Sequence, residues 1–316
     1  MAKKMLTCVE ICAGAGGQAL GLEQAGFRHN ALVEIEGPYC EILRRNRPKW
    51  NVLCKDVGGF SGTDYRGVDL LAGGVPCPPF SHAGKQLGPE DERDLFPQAL
   101  RLVEEIKPRA VMLENVRGFL DPVFDEYRGN ILDKLDELGY TPSISLVKAS
   151  DFGVSQLRPR TIIVGISKEI DKPFEFPQPF RRKPTSVGKK LYDLMAEKGW
   201  EGAERWRDEA DDIAPTLVGG SKKHGGPDLG PSRARKAWAR LGVDGRGVAN
   251  EAPSPGFDGM PRLTPRMLAR IQGFPDTWDF GEGKTRACRM IGNAFPPPVA
   301  KAVGLQIRRC LEHDSE

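Results

Sequence analysis

The chain has 316 residues, 39% of them hydrophobic, and a formal net charge of +3. No apolar run approaches the ~18 residues that cross a bilayer, which excludes a membrane-spanning protein and leaves one large or two modest domains. The charge is too small to demand a polyanionic partner, so any case for nucleic acid must come from local clustering. The opening MAKKMLTCVE lacks the long apolar core of a secretory signal, and a cytoplasmic location is expected. The 7 cysteines (Cys8, Cys12, Cys40, Cys54, Cys77, Cys288 and Cys310) are odd in number and scattered. Without CxxC or Cys/His spacing they argue against both a disulfide framework and a metal site.

In chain order, LTCVEICAG, NALVEIE, WNVLCKD, VDLLAGG, RAVMLEN and RTIIVGI read as short strands. GGQALGLEQAG, YCEILRRNR, FPQALRLVEEI and RGNILDKLDELG have helical spacing. Strands separated by single helices predict βαβ units in a parallel sheet covered on both faces, with ligands beyond the carboxyl ends of the strands. The stretch FEFPQPFRRKPTSVGKK then breaks the alternation with prolines and basic residues. The expected division is a first domain over 1–176, completed by 276–316, and a second over 177–275. Near the end, IGNAFPPPVAKAVGLQIRRCLEH reads as a proline-rich turn feeding an amphipathic helix that rejoins the first domain.

The first turn, EICAGAGGQALGLEQAGF, places Gly14, Gly16 and Gly17 between a strand and a helix. Glycines there allow positive φ and close approach of a ligand to backbone N–H groups. Tight packing is an equally good reading of that turn alone, and no Lys-Ser/Thr pair follows to make a Walker A loop. Glu34 ends the second strand about twenty residues on, where an acid can accept ribose hydroxyls. With Glu10 and Asp56 it places acids at the ends of three successive strands, which together point to a nucleoside cofactor without phosphates.

The run GGVPCPPFSHAGKQLG sets Cys77 between prolines after the fourth strand. A lone cysteine is more often a packed core residue, but the rigid flanks and the polar, glycine-bearing loop that follows suit an exposed nucleophile. Glu114 ends the next strand at the same edge. In QLRPR, alternation directs Gln156, Arg158 and Arg160 to one face of an extended segment. Thiol, carboxyl and guanidinium together suit covalent addition to a polar heteroaromatic ring.

With AGAGG (13–17), GGVPCPPFS (73–81), ENV (114–116), QLRPR (156–160), RLTPRMLARIQGFP (262–275) and IGNAFPPPVA (291–300) in that order, the chain resembles the DNA (cytosine-5) methyltransferases of bacterial restriction-modification systems over nearly its whole length. The resemblance implies an α/β fold: a Rossmann-like S-adenosylmethionine-dependent methyltransferase sheet with a smaller, irregular target-recognition domain. It implies that Cys77 attacks C6 of a cytosine, that Glu114 holds N3 and the exocyclic amine, and that Arg160 donates to O2, with Arg158 in the same catalytic cluster. It assigns S-adenosyl-L-methionine, leaving as S-adenosyl-L-homocysteine, to a pocket of Cys12, Gly14, Ala15, Gly16 and Gly17, with Glu34 and Ile35, Asp56 and Val57, and Pro76, Leu95 and Asn293. Two departures stand out: Cys12 replaces an aromatic residue common in the family, and Pro78 a glutamine.

A base inside a duplex is out of reach, so the family's chemistry implies base flipping. Ser81, His82 and Gln86 would then lie in a loop closing over double-stranded DNA, with Gln156 and Thr216 near the flipped nucleotide. Lys222, Lys223, His224, Arg233 and Arg235, joined by Lys236 and Arg240, make a basic footprint that the global charge hides. A solvated basic loop is the plainer reading of the same residues. A cognate restriction endonuclease, a monomeric state and association with the bacterial nucleoid are further implications. Cytosine-5 methylation of tRNA and a catalytically inactive DNA-binding relative remain as alternatives.

Overall fold

The computed structural model describes residues 5–76, 94–219 and 228–312. The chain divides into two compact units: Met1–Val147 with Pro159–Gln178 and Ala300–Glu316, and Lys148–Arg158 with Pro179–Val299.

The first unit is built on a seven-stranded sheet in the order β3-β2-β1-β4-β5-β7-β6. Its strands are β1 (Leu6–Ile11), β2 (Phe27–Glu34), β3 (Val52–Cys54), β4 (Leu70–Gly74), β5 (Ala110–Val116), β6 (Tyr140–Lys148) and β7 (Pro159–Ser167). Helices α1 (Gly17–Gln24), α2 (Gly37–Asn46), α3 (Phe96–Ile106) and α4 (Asp125–Glu137) fall where the helical spacing predicts them. Period-two alternation divides the strand side chains between two layers. Val9, Ile11, Val33, Leu71, Val111, Leu113 and Ile163 share one core with Phe96, Leu102, Ile106, Ile131 and Leu135 of α3 and α4. Leu32 and Val52 share the other with Ala19, Cys40 and Leu43 of α1 and α2. Burying each such large side chain is worth about 1.5–3 kcal/mol, which sets the sheet's register firmly.

Two sequence expectations are corrected. The sheet has a seventh strand, β6, and it is not parallel throughout: β5 pairs antiparallel with β7. Tyr140–Lys148 escapes sequence reading because it carries Pro142 and is only partly buried, as an edge strand can be. The reversal of β7 has a steric cause. The link from β6 to β7 is residues 149–158, with one short 3₁₀ turn at Ala149–Phe152, whereas a parallel crossover needs a dozen or more residues and usually a helix.

The second unit is mainly helical and irregular, with α5 (Val187–Ala196), α6 (Ala203–Glu209), α7 (Ser232–Ala239), α8 (Pro265–Gln272) and α9 (Lys284–Asn293). The last helix, α10 (Pro297–Glu312), carries the chain back to the first unit. There Arg308 donates to the carbonyls of Ala25 and Gly26, both at 3.2 Å. Among the described residues no helix is long and apolar enough to cross a membrane.

Candidate active site

The glycine loop closes onto the acid twenty positions away. Gly14 and Gly16 have φ of 54° and 85°, a region that costs an L-residue roughly 1–2 kcal/mol, and Gly16 caps α1. The Gly14 N–H donates to Glu34 Oε2 at 2.7 Å, and the Glu36 N–H donates to Glu34 Oε1 at 2.8 Å. One carboxylate thus joins the ends of β1 and β2 and keeps lone pairs for a further donor. Burial pushes the Glu34 carboxyl above its ordinary range, while the N–H groups of Glu36 and Gly14 oppose the shift. Ala15 is buried and Gly17 opens α1.

Beside this carboxylate, Ile35 is 60% exposed, leaving an apolar side chain largely open among the described residues. Asp56 follows β3, and its Oδ1 accepts from the Gly58 N–H at 2.7 Å; Val57 beside it is buried. Cys12 also has a left-handed φ, 52°. Burial, reinforced by the charges of Glu34 and Asp56, pushes its thiol up to about 12, so it stays neutral. Glu10 departs from expectation. It lies within β1 rather than at its tip, 1% exposed and 3.3 Å from His29 Nε2, so it is an interior pair and not a ligand group.

The second cluster forms across β4, β5 and β7. Gly74 stands opposite Glu114 in the β4–β5 ladder, and a Cβ on Gly74 would lie 3.3 Å from Glu114 Oε2, so glycine leaves room for that carboxylate. Asn115 Nδ2 donates to the Val75 carbonyl at 2.9 Å, and the Val75 N–H donates to the Glu114 carbonyl at 3.1 Å. Those bonds fix the outgoing end of β4 beside Glu114. Leu95, just before α3, donates its N–H to the Pro76 carbonyl at 3.3 Å.

In the antiparallel ladder Arg160 faces Val116 and Ile162 faces Glu114, which makes Arg160 and Glu114 diagonal neighbours on one face. Arg160 Nε reaches Glu114 Oε1 at 2.8 Å, with the two side chains 11% and 13% exposed. The result is a partly buried carboxylate–guanidinium pair at the carboxyl edge of β5. Such a pair presents acceptor and donor atoms in one plane to a polar ring. Cys77, Ser81, His82, Gln86, Lys222, Lys223 and His224 lie outside the described residues.

The expectation that Gln156, Arg158 and Arg160 share a face is corrected. The strand starts only at Pro159, and Arg158 has φ 26°, which breaks the alternation. Gln156 and Arg158 are 0% exposed in the second unit. Arg158 Nη1 donates to the Leu217 carbonyl at 2.8 Å, and Nη2 to the carbonyls of Gly292 and Ala294 at 2.7 and 2.8 Å. Both terminal nitrogens of the Arg158 guanidinium thus end on backbone carbonyls of the second unit. Gln156 Oε1 accepts from the Leu217 N–H at 2.7 Å and Nε2 donates to Gln272 Oε1 at 2.6 Å, in place of an open edge for nucleic acid. Sequence reading gave no role to Gln272, although it sits inside the quoted RLTPRMLARIQGFP, because nothing local shows where a long-range amide will bond.

Thr216 is half-buried beside this group, and Asn293 is the exposed last residue of α9. Arg233 and Arg235 both lie on α7. Arg233, Lys236 and Arg240 are exposed at helical spacings of three and four, hence on one face. Arg246 and Arg262 of the same unit are instead bound to Asp244, and Arg270 to Asp193 and Asp276.

Comparison with known proteins agrees with this architecture. The family model for C-5 cytosine-specific DNA methylase matches residues 6–309. The chain is 54% identical over 312 residues to the Type II methyltransferase M.NgoMIV of Neisseria gonorrhoeae, covering 98% of this chain and 99% of that one. It is 55% identical over 317 residues to M.NaeI of Lentzea aerocolonigenes, covering 98% of this chain and 76% of that one. In fold it is similar to a crystal structure of a Spodoptera frugiperda DNMT2 mutant, with TM-score 0.67 at 18% identity, covering 98% and 100% of the two chains. A similar match is S. pombe Dnmt2, with TM-score 0.65 at 17% identity over 98% and 99%. Sheet, glycine loop, edge ion pair and a family match spanning almost the whole chain lead to one conclusion: this protein belongs to the C-5 cytosine-specific DNA methylases.

Proposed function

We propose that the protein transfers a methyl group from S-adenosyl-L-methionine to C5 of a cytosine flipped out of a specific double-stranded DNA sequence, through a covalent bond between Cys77 and C6. The observation that carries this reading is the Glu114–Arg160 pair, 2.8 Å apart at the edge where the described end of β4 leads into Cys77. Cys77 Sγ attacks C6, and the electron pair displaced from the C5–C6 bond builds charge on the ring. Arg160 donates to O2 and stabilises that charge. Glu114 holds N3 and the exocyclic amine, fixing the ring between thiol and methyl donor. Once C5 carries the methyl group, with S-adenosyl-L-homocysteine as the departing product, loss of the C5 proton and departure of the Cys77 thiolate restore the aromatic ring and free the enzyme.

The first unit has the features an adenosyl cofactor requires: a left-handed glycine turn at a helix start, a buried carboxylate for the ribose in Glu34, and the exposed apolar Ile35 for the adenine. Gly14, Ala15, Gly16 and Gly17 would take the methionine end, Asp56 and Val57 the adenine, with Pro76 and Leu95 beside them. When bound, the cofactor supplies an electrophilic methyl group. Asn293 is assigned to the cofactor on the family resemblance alone.

The catalytic domain is then 1–176 with 276–316 and the target-recognition domain 177–275, the first unit carrying most of the former and the second unit all but the first residues of the latter. The exposed basic face of α7, in a unit whose Arg246, Arg262 and Arg270 are already paired with aspartates, supports phosphate contact by the second unit. The Type II names of the relatives support a place in a restriction-modification pair in the bacterial cytoplasm, the protein acting as a monomer on the site its endonuclease cuts. No observation favours tRNA over DNA or an inactive relative. Bisulfite sequencing of DNA from cells expressing the chain should show 5-methylcytosine at one short sequence, and a duplex carrying 5-fluorocytosine there should trap a covalent adduct. Folded, cofactor-binding protein that leaves DNA unmethylated would overturn the reading.

A further inference from the structure

Within the second unit, three buried side chains converge on two stretches of backbone. Arg158 takes the carbonyls of Leu217, Gly292 and Ala294, and Gln156 takes the N–H of Leu217. Gln272 accepts from Gln156 at 2.6 Å and donates to the Ala294 carbonyl at 2.5 Å. Both peptide groups of Leu217, and the carbonyls on either side of Asn293, therefore end on one network. The glycines report the same closeness. A Cβ on Gly292 would lie 2.4 Å from the Gly219 nitrogen, and one on Gly219 would lie 2.0 Å from Asn293 Oδ1.

We infer that Arg158 is a positioning residue for DNA: it clamps the segment Thr216–Gly219 against the end of α9 and so presets the backbone from which the second unit engages the duplex. The inference rests on the methyltransferase reading above. A Cβ on Gly230, just before α7, would lie 2.7 Å from Val218 Cγ2 of this segment, so the clamp also holds a stem for the helix that presents Arg233, Lys236 and Arg240. Fixing a stem before binding removes part of the ordering cost of association. The residue type fits the task. A guanidinium is a rigid planar fork that serves acceptors on different sides, whereas an ammonium offers its donors from a single nitrogen. Its companion Arg160, two positions on, faces Glu114 instead, and the positive φ at Arg158 separates the two directions.

The test uses the full chain and a duplex carrying the site mapped by bisulfite sequencing. Arg158→Lys should raise KM for that duplex by about tenfold, with kcat changed less than about threefold and cofactor affinity within about twofold of wild type. Gly219→Ala, which displaces the same segment without touching the arginine, should produce the same split, and it decides alone if Arg158→Lys does not fold. An unchanged KM in folded variants would overturn the inference. So would a fall in kcat at constant KM, which would place Arg158 at the reacting base, or a parallel loss of cofactor affinity, which would make it a general support of the fold. Wild-type protein that leaves the duplex unmethylated removes the parent reading and the inference together, whereas an active wild type with unaltered variants removes the inference alone.

Discussion

The two halves of the sheet edge hold their functional groups in different ways. In the parallel half, β3-β2-β1-β4, the glycine loop is closed by Glu34, twenty positions away along a single β-α-β turn. In the other half, Glu114 meets Arg160 only because β7 runs opposite to β5. A parallel β7 would carry Arg160, near the start of its strand, to the far edge of the sheet. The chain builds its glycine loop with local geometry and its edge ion pair with a reversal. A binding site can be specified by one supersecondary unit, whereas this pair requires the sheet to be complete.

Four single substitutions test that contrast, in falling order of expected effect on turnover or binding. Glu114→Gln should lower kcat by about 10²–10⁴-fold with cofactor affinity unchanged in calorimetry; equal loss of cofactor binding would show that the two halves of the edge are not separable. Arg160→Ala should cost about 10²–10³-fold in kcat. Because the two residues form one unit, the double variant should cost little more than the larger single change; additive losses in single-turnover rates would mean that they act apart.

In the parallel half, Glu34→Gln should weaken cofactor binding by about tenfold, since one acceptor for the ribose hydroxyls is lost. Burial raises the Glu34 carboxyl, and the sign follows from that direction. The ionised form that accepts hydroxyls is complete above its raised value, so cofactor affinity should fall as pH drops through a range above that of an ordinary glutamate. Glu34→Gln should flatten that dependence, and an unchanged profile would assign it to another group.

The smallest effect on turnover is expected at the boundary of the two halves. A Cβ on Gly73 of β4 would lie 2.6 Å from Ile11 Cγ1 and 3.0 Å from the Ile11 carbonyl oxygen. Gly73→Ala should therefore destabilise the fold by about 1–3 kcal/mol, read as a lower Tm with kcat little changed at temperatures where the variant stays folded. An unshifted Tm would mean that β1 and β4 yield more readily than their packing suggests.

Much of this was legible in residues alone. Six of the seven strands, all but β6, and helices α1 to α4 declare themselves by period, and Gly14 and Gly16, with Glu34 beyond them, declare a glycine turn closed by an acid. All depend on spacing within a few tens of residues. β6 does not, because a partly exposed edge strand with a proline lacks the continuous apolar signal of a buried one. Glu10 misled for the opposite reason: an acid near a strand end looks solvated until its buried partner His29, on the neighbouring strand, is known.

The sequence by itself determined the α/β class, the family and the identity of Glu34, Glu114 and Arg160 as polar groups near strand ends, since each is a matter of residue type and local order. Only the tertiary structure decided that QLRPR faces two ways, with Arg160 on Glu114 and Arg158 buried among the carbonyls of Leu217, Gly292 and Ala294. The physical reason lies in the backbone. One positive φ at Arg158 redirects the chain, and its partners lie 59 to 136 positions away, beyond what any local pattern encodes.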